Sequence, residues 1–472
     1  MERQTKIICT LGPAIDNEEM LCKMFEKGMN VARLNFSHGT HEKAREQIKT
    51  IKKAAKKANK HIAIMLDTKG PEIRTGKFEN DGVYYHENDI VKLVKEECLG
   101  NKERFHITCN ELFDDVKAND NLLIDDGKIT LTVIEVSSEE ITCQFKNGGY
   151  VRNHKGINAP GINLSMPFIS KKDYEDIKFG CENNVDAFAL SFVRTKDDVL
   201  AVRKLIEEFN GSNIEIISKI ESQQGIENLE EILKVSDGIM VARGDLGVEV
   251  LPELVPMYQK KMISLANSLG KIVITATHML ESMIENPRPT RAEASDIANA
   301  ILDGTDAIML SGESAIGKYP LESVEYMVKI AKITESTINH QETLNKAKSY
   351  YNNNTNDAVS MAASEIALKM EDIKAIFAFT ETGGTAKRMF KYRPRVPVIA
   401  CTNTESTARR LAFYRGIHPT IAKYVDNINL CDKIATQVAN NLGFKENDKI
   451  IITAGFGEVH GITNTIRIIE IK

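Results

Sequence analysis

The sequence predicts an α/β protein built around a closed parallel barrel. Apolar runs of strand length alternate with segments of helical spacing eight times, and polar side chains follow most of these runs. One long block of purely strand-like pattern interrupts the alternation after the third strand. This pattern favours a (β/α)8 TIM barrel with an inserted β domain, and such barrels carry their chemistry at the carboxyl ends of the strands.

Length and composition bound the possible functions. A chain of 472 residues is long enough for two or three domains, and its 42% hydrophobic and 27% charged residues are typical of a soluble globular protein. The formal net charge of −5 argues against nucleic-acid binding. The sequence has no signal-peptide core and no apolar stretch of membrane-spanning length. Eight cysteines without a CxxC pair favour reduced thiols in the cytoplasm.

The first three strands are expected before residue 70. They are Lys6–Gly12, Val31–Phe36 and Ile62–Leu66, and two helices, Asn17–Lys27 and His41–Lys60, separate them. The lysines of the second helix are interpreted as a solvated face. Each strand runs into polar residues, as expected at the mouth of a barrel.

The interrupting block extends from residue 70 to about residue 167. Its short alternating runs are separated by the turn signals Asp81-Gly82, Asp126-Gly127 and Asn147-Gly148-Gly149. This pattern predicts an all-β domain inserted into a loop at the barrel mouth, where it can close over the site as a lid.

The βα alternation then resumes and supplies five more strands, which brings the total to eight. The expected strands are Asp186–Ser191, Ile214–Ile217, Gly238–Ala242, Ile272–Thr275 and Ala307–Leu310. The expected helices are Asp173–Glu182, Lys196–Phe209, Gly225–Val235, Glu253–Leu269, Arg291–Leu302 and Leu321–Ile338. The barrel is therefore assigned to residues 1–69 and 168–340, and the lid to 70–167.

A third region, residues 341–472, is predicted to be an open α/β domain. The polar stretch Gln341–Asn356 is interpreted as a linker. The turn Thr380–Thr385 (TETGGT) opens a helix, and helix N-termini beyond the strands of an open sheet can bind phosphate. A plain turn is an equally good interpretation of these residues.

Two strand ends in the centre of the chain carry the strongest chemical signal. Lys219 and Glu221 follow one buried run, and Asp245 follows the next. Two carboxylates and a lysine converging at the barrel mouth suit a divalent metal beside a phosphoryl or enolate group. A pair of structural buried salt bridges is the alternative.

Longer motifs at the strand ends resemble the pyruvate kinase family, and they extend over the whole predicted barrel. The motifs are ARLNFSHG (Ala32–Gly39), LDTKGPEIRTG (Leu66–Gly76), SKIES (Ser218–Ser222), MVARGDLGVE (Met240–Glu249), TATHMLESMIENPRPTRAEASD (Thr275–Asp296) and MLSGESA (Met309–Ala315). The resemblance implies phosphoryl transfer from phosphoenolpyruvate to ADP, giving pyruvate and ATP in the last step of glycolysis. It also implies a cytoplasmic homotetramer with a C-terminal effector domain and allosteric regulation.

The resemblance assigns a role to each matching residue. Lys219, Thr277 and Arg33 match the catalytic residues, with Gly244 and Asp245 beside Thr277 and Arg33 in substrate binding. Arg74, Lys155 and His38 match the nucleotide site. Mg²⁺ or Mn²⁺ is expected on Glu221 and Asp245, and K⁺ on Asn35, Ser37, Asp67 and Thr68. A glutamate at position 72 goes with K⁺ dependence in the family, so Glu72 is expected to need a nearby cation.

Two departures from the family pattern concern the termini and the effector turn. The chain leaves no room for an N-terminal helical extension and ends without the extra C-terminal domain of some bacterial members. The expected effector residues are Thr380, Thr382, Gly383, Gly384 and Thr385, and none of them is basic. Unless Lys387, Arg388 or His460 compensates, a bisphosphate has too few cations there, so a monophosphate activator or none is predicted.

Two alternative functions have distinguishing features. Another metal-dependent barrel enzyme acting on phosphoenolpyruvate or an enolate, such as an aldolase or a dikinase, would not need Arg74, Lys155 and the lid. A dikinase would also need a phosphohistidine segment, which the sequence does not offer. A silent sensor on the same fold would be expected to lose Lys219, Glu221, Asp245 or Thr277, and all four are present.

Overall fold

The computed structural model describes residues 3–37, 39–423, 425, 427–456 and 461–471. Its largest unit is a closed barrel of eight parallel strands in the order β1-β17-β16-β15-β14-β13-β3-β2, which confirms the predicted fold. The barrel strands are β1 (Lys6–Thr10), β2 (Val31–Asn35), β3 (Ala63–Asp67), β13 (Ala187–Leu190), β14 (Glu215–Ile220), β15 (Gly238–Ala242), β16 (Ile272–Ala276) and β17 (Ala307–Leu310).

Helices surround the barrel and bury its outer face. The barrel helices are α1 (Glu18–Lys27), α2 (His41–Lys57), α4 (Lys171–Glu182), α5 (Lys196–Glu208), α6 (Gln223–Glu227), α7 (Leu229–Val235), α8 (Arg243–Glu249), α9 (Val255–Ser268), α10 (Arg291–Asp303), α11 (Gly312–Ala315) and α12 (Pro320–Glu335). Short 3₁₀ turns cover Pro252–Leu254 and Glu281–Ile284. Several helices start at a side-chain cap, and Thr290 forms a capping box with Glu293 at the start of α10. The single helix expected over 225–235 is wrong, because the chain breaks at Asn228 into α6 and α7.

The insert is a β domain with its own hydrophobic core, as predicted. Its strands are β4 (Ile73–Arg74), β5 (Gly82–Tyr85), β6 (Ile90–Val94), β7 (Arg104–His106), β8 (Asn121–Ile124), β9 (Ile129–Val136), β10 (Glu140–Phe145), β11 (Gly149–Arg152) and β12 (Gly156–Asn158). Seven of them form one sheet, and β5 and β11 form a second. One short helix, α3 (Leu112–Asp115), and a 3₁₀ turn, Glu79–Asp81, complete the insert.

The two chain connections between barrel and insert are joined to each other. Gly70, where the chain leaves the barrel, donates its backbone N–H to Oδ1 of Asp173 in α4, where the chain returns, at 3.0 Å. Gly70 has φ +71°, and a Cβ there would lie 2.7 Å from the Ser191 carbonyl oxygen, so only glycine fits without rearrangement. The base of the insert is thus fixed against the end of β13.

The C-terminal region is an open α/β layer whose five strands lie in the order β20-β19-β18-β21-β22, with only the β21–β22 pairing antiparallel. Its strands are β18 (Ile373–Phe379), β19 (Val398–Thr402), β20 (Ile417–Ile421), β21 (Lys449–Ala454) and β22 (Thr465–Glu470). Its helices are α13 (His340–Lys348), α14 (Thr355–Lys369), α15 (Gly384–Lys391), α16 (Glu405–Leu411) and α17 (Ile428–Asn441).

The linker expected over 341–356 is mostly wrong, because α13 occupies its first half. Asn339 caps this helix by accepting hydrogen bonds from the backbone of Gln341 and Glu342, and Leu344 and Ala347 are buried. The domain division at 340/341 stays a prediction. All eight cysteines are free thiols, as expected. In the described part of the chain, no helix is long and apolar enough to cross a membrane.

Candidate active site

Lys219 lies at the centre of a cluster of charged side chains at the carboxyl ends of the barrel strands. It is near the end of β14 and only 8% exposed. Its Nζ lies 2.7 Å from Ser191 Oγ, 2.9 Å from Glu221 Oε1 and 3.3 Å from Asp67 Oδ1. Burial disfavours the ammonium ion, but the carboxylates around it outweigh burial and raise the pKa of Lys219. The lysine therefore stays charged although its side chain is buried.

Asp67 joins Lys219 to the neighbouring strand through Arg33. Arg33 Nε lies 2.7 Å from Asp67 Oδ2, and its Nη1 donates to Thr10 Oγ1 at 2.9 Å. Burial would raise the pKa of Asp67, but Arg33 and Lys219 together lower it. Adjacent parallel strands explain the contact, because β2 and β3 end side by side. Arg33 is thus held with its guanidinium group at the barrel mouth.

Glu221 and Asp245 offer oxygen atoms suited to a divalent cation. Oε2 of Glu221 accepts the backbone N–H of Phe192 at 2.6 Å. Its buried Oε1 makes no hydrogen bond of good geometry, although Lys219 Nζ is close. Burial, opposed by Lys219 and reinforced by Asp245, raises the pKa of Glu221 to about 8. A buried carboxylate oxygen without a good donor, beside a second acid, fits a metal site.

The remaining ligands of such a metal would come from elsewhere. Within the described residues, no group of three or more His, Cys, Asp or Glu side chains is arranged to hold a metal. The pair Glu221 and Asp245 therefore matches a site that substrate oxygens and water complete.

Thr277 and Gly244 form the other wall of the site. Gly244 donates its backbone N–H to Thr277 Oγ1 at 2.8 Å, which links the ends of β15 and β16. Thr277 has φ +66°, a conformation that is rare for a β-branched residue and indicates strain. Arg243 stabilises this turn, because its Nη2 donates to the Thr277 carbonyl at 2.7 Å while its Nη1 binds both oxygens of Asp296.

The four residues expected to bind K⁺ lie at the ends of the adjacent strands β2 and β3. Asn35 pairs with Asp67 in register, and its Oδ1 accepts the backbone N–H of Ser37 at 3.1 Å. The Thr68 carbonyl accepts from Ser191 Oγ at 2.8 Å. One carboxylate among neutral oxygen donors suits a monovalent cation.

Arg74 and Lys155, expected at the nucleotide, lie together at the base of the lid. Arg74 Nε donates to Glu72 Oε2 at 2.7 Å and its Nη1 to the His154 carbonyl at 2.7 Å. Lys155 Nζ lies 2.6 Å from Asp125 Oδ1. Glu72 therefore has a cationic partner already, so its charge by itself does not call for K⁺. His38 lies outside the described residues.

The turn at Thr380–Thr385 borders a cavity of about 360 Å³ in the C-terminal region. Thr380, Thr382, Gly384 and Thr385 line it, and Gly383, with φ +96°, caps helix α15. Two cations that the turn itself lacks are present in the lining, Arg388 and Lys423. Lys387 instead contacts Glu215 of the barrel at 2.6 Å, and His460 falls outside the described residues.

Sequence reasoning missed the supporting residues. It did not single out Arg243, Asp296 or the backbone N–H of Phe192, and it left Ser191 without a role. Arg243 directly precedes Gly244 within the quoted MVARGDLGVE motif, which was the available signal. Asp296 ends the quoted motif Thr275–Asp296, but that motif does not predict its contact with Arg243, and Phe192 gave no signal, because both contacts join residues far apart in the chain.

The fold and the site define a barrel enzyme with a dry, charged centre suited to anionic substrates and a divalent metal. Comparison with known proteins narrows this class. Residues 2–324 match the family model described as the pyruvate kinase barrel domain, and 357–469 match the pyruvate kinase alpha/beta domain. The chain belongs to the pyruvate kinase family.

Individual relatives are similar in sequence to almost the whole of this chain. A pyruvate kinase of Staphylococcus aureus (strain MRSA252) is 47% identical over 471 residues, which are 99% of this chain and 80% of the relative. A pyruvate kinase of Bacillus licheniformis is 45% identical over 469 residues, with the same coverage. The crystal structure of a pyruvate kinase from Cryptosporidium parvum matches with a TM-score of 0.95 at 38% identity, covering 100% of this chain and 96% of that one.

Proposed function

We propose that this enzyme transfers the phosphoryl group of phosphoenolpyruvate to ADP, giving ATP and pyruvate. The observation that carries the proposal is the buried, charged Lys219 with Arg33 and two carboxylates around it at the barrel mouth. A fixed ammonium group in a dry site stabilises the charge that spreads over the oxygens of a transferring phosphoryl group.

Each group has one task in this scheme. Arg33 binds the substrate phosphate, while the backbone at Gly244 and Asp245 and the Thr277 hydroxyl bind the substrate carboxylate. The bond between the enol oxygen and phosphorus breaks as a β-phosphate oxygen of ADP bonds to phosphorus. The enolate left behind takes a proton at its methylene carbon, and Thr277 positions the water that delivers it.

Two cations complete the site. Glu221 and Asp245 would hold Mg²⁺ or Mn²⁺, which supplies a Lewis acid for the phosphoryl oxygens when bound. Asn35, Ser37, Asp67 and Thr68 would hold K⁺. Arg74, Lys155 and His38 would bind the nucleotide phosphates, and for this Lys155 must leave Asp125.

The cavity beside Thr380–Thr385 is proposed to bind an activator with a single phosphate group, or else no activator at all. Arg388 supports a single phosphate, since its buried Nε has no hydrogen-bond partner among the described residues. A bisphosphate would need more cations than Arg388 and Lys423 supply. Activation by micromolar fructose 1,6-bisphosphate would contradict this. The cytoplasmic homotetramer is likewise retained as part of the proposal.

The test measures ATP and pyruvate formation from phosphoenolpyruvate and ADP with Mg²⁺, first with K⁺ and then with a tetraalkylammonium ion. We expect activity that collapses without K⁺, and a loss in Lys219→Met of about 10³-fold or more. Lys234→Met, on the exposed face of α7, is the matched control and should keep full activity. Activity indifferent to K⁺ would overturn the K⁺ assignment alone, whereas equal activity in Lys219→Met and the wild type would overturn the proposed chemistry.

A further inference from the structure

A second cationic cavity lies between the barrel and the C-terminal region. It has a volume of about 130 Å³ and shares no lining residue with the cavity beside Thr380–Thr385. The barrel contributes the ends of α9 and α10, and the C-terminal region contributes α13, the end of α15 and the turn before β20. The basic residues that line it are His340, Lys346, Lys391, Arg393 and Arg415.

Carboxylates neutralise only some of these charges. Lys391 lies 2.9 Å from Asp357, and Arg393 Nη2 lies 2.6 Å from Asp306. Asp303 is the acidic residue in the lining, and Lys260 already pairs with it. Lys346 contacts the Ser264 hydroxyl at 3.3 Å rather than a carboxylate. The cavity therefore keeps a positive excess.

Arg415 is the residue that most needs a partner. It is 7% exposed, and among the described residues its buried Nε has no hydrogen-bond acceptor and its guanidinium group forms no ion pair. Burial and the neighbouring charge of Arg393 lower the pKa of Arg415 to about 10, against the attraction of Glu335 and Asp306. Native proteins rarely bury a guanidinium group without an acceptor, because desolvation then goes uncompensated.

We propose that this cavity binds a phosphate group, either free inorganic phosphate or the phosphate of a small monoester. Guanidinium groups form paired hydrogen bonds to phosphate oxygens, and Arg393 and Arg415 supply two such groups from the C-terminal side. The volume of about 130 Å³ is large enough for one phosphate group. A bound phosphate would bridge the two regions, because the cavity wall belongs to both.

Thermal unfolding of the full-length protein in inorganic phosphate, against chloride at equal ionic strength, tests the proposal. Phosphate also binds other sites, so the decisive quantity is the difference between variants. The wild type is expected to gain several degrees in Tm, Arg415→Gln to lose part of that gain, and Lys346→Gln to need about 3- to 10-fold more phosphate for the same gain. Lys348→Gln is the matched control, because Lys348 lies on the same helix as Lys346 but outside the cavity, where it pairs with Glu365. This variant should show the same gain in Tm with phosphate as the wild type.

The outcomes separate clearly. Equal phosphate gains in the wild type, Lys346→Gln and Lys348→Gln would overturn the proposal, even if Arg415→Gln fails to fold. A crystal soaked in phosphate must show density beside Arg415, and its absence there would also overturn it. Repeating the titration with glycerol 2-phosphate distinguishes the sources: an equal gain indicates a monoester, and a gain only with inorganic phosphate indicates the free ion.

Discussion

Arg243 stabilises a turn of the candidate active site, although no substrate contact is assigned to it. Its guanidinium group bridges Asp296 and the carbonyl of Thr277, the strained residue proposed to bind the substrate carboxylate. A lysine cannot make both contacts, because its ammonium group lacks the planar fork. We expect Arg243→Lys to lower kcat by about 10- to 100-fold, since small displacements of a positioning group are costly.

The readout for Arg243→Lys must separate positioning from folding. Steady-state kinetics should show a larger fall in kcat than rise in the KM for ADP, because the nucleotide residues lie in the lid. Arg291→Lys, on the exposed first turn of α10, is the matched control and should leave both constants unchanged. Unaltered kinetics in Arg243→Lys would show that Thr277 keeps its conformation without the guanidinium group of Arg243.

His418 makes stability depend on pH. Burial, together with the charges of Lys6, Arg3 and Lys60, lowers the pKa of His418 to about 3. In the unfolded state this histidine therefore binds a proton near pH 6.5, whereas in the folded state it stays neutral down to about pH 3. The free energy of unfolding consequently falls as the pH drops from about 6.5 towards 3. Between pH 7 and 5 this histidine should cost about 2 kcal/mol of unfolding free energy.

Urea unfolding at pH 7 and pH 5 measures that contribution. His418→Phe should lose about 2 kcal/mol less than the wild type over this interval. The exposed His86 offers the control, since His86→Phe should follow the wild type. The same pH dependence in all three proteins would mean that His418 titrates normally when folded.

The sequence located the central residues of the site but not the contacts that orient them. Lys219, Glu221 and Asp245 were predictable because each follows a buried apolar run, and parallel strands end together at one edge. The pairing of Arg243 with Asp296 joins a strand end to a distant helix, and no local pattern encodes it. The pairing of Glu72 with Arg74 shows the opposite limit, because these near neighbours in sequence were assigned to different ligands, Glu72 to K⁺ and Arg74 to the nucleotide phosphates.

At the scale of an element, β14 is held at both ends by charged groups. Lys219 lies near its carboxyl end, and Glu215 begins it at the bottom of the barrel, roughly 13 Å away. Glu215 is buried and contacts Lys387 of α15 at 2.6 Å and the Tyr414 hydroxyl at 3.1 Å. Burial raises the pKa of Glu215, opposed by Lys387. The strand thus connects the helix after the Thr380–Thr385 turn to the proposed catalytic lysine.

Removing Lys387 should leave a buried carboxylate without its counter-charge. We expect Lys387→Met to destabilise the protein by about 3 kcal/mol and Glu215→Gln to cost less, since a neutral amide is easier to bury. Urea unfolding of both single variants and the double variant gives the coupling energy. Additive effects of the two changes would show that the pair contributes no interaction of its own.

The misassigned linker shows where element prediction from sequence fails. Residues 341–356 are polar, so composition alone favours a loop. Only two positions of α13, Leu344 and Ala347, are buried, too few to give a clear helical period. The Asn339 cap and packing against α14 stabilise this helix instead. The packing is a tertiary effect, which the local sequence does not predict.

At the scale of the whole molecule, one exposed apolar patch supports self-association. Leu251, Leu254 and Met257 lie close together around the start of α9, and Met257 is 64% exposed. Exposed clusters of large apolar side chains are typical of protein interfaces. The proposed homotetramer predicts that sedimentation equilibrium reports a tetramer, and if this patch is buried between subunits, Met257→Asp should shift the equilibrium towards smaller species. Ile134→Asp, on an exposed position of the lid, should not, and an unshifted tetramer in Met257→Asp would exclude this patch.

The barrel was predictable as a whole because its eight strands are short and apolar and alternate with helical segments on both sides of the insert. The docking of the C-terminal layer onto the barrel could not be predicted. That docking depends on buried pairs such as Arg409 with Asp186 and Arg393 with Asp306, which join residues 223 and 87 positions apart. Such pairs form only once both regions have folded, so no local pattern in the sequence predicts them.

The hydrogen bond between Gly70 and Asp173 has a consequence for movement. Two independent connections would let the lid bend, twist and slide over the barrel mouth. Because the outgoing and returning chains are pinned to each other at one point, we expect the lid to pivot about that bond rather than slide. Arg74 and Lys155 both belong to the lid, so a pivoting motion would carry the two proposed nucleotide contacts together towards or away from the barrel mouth.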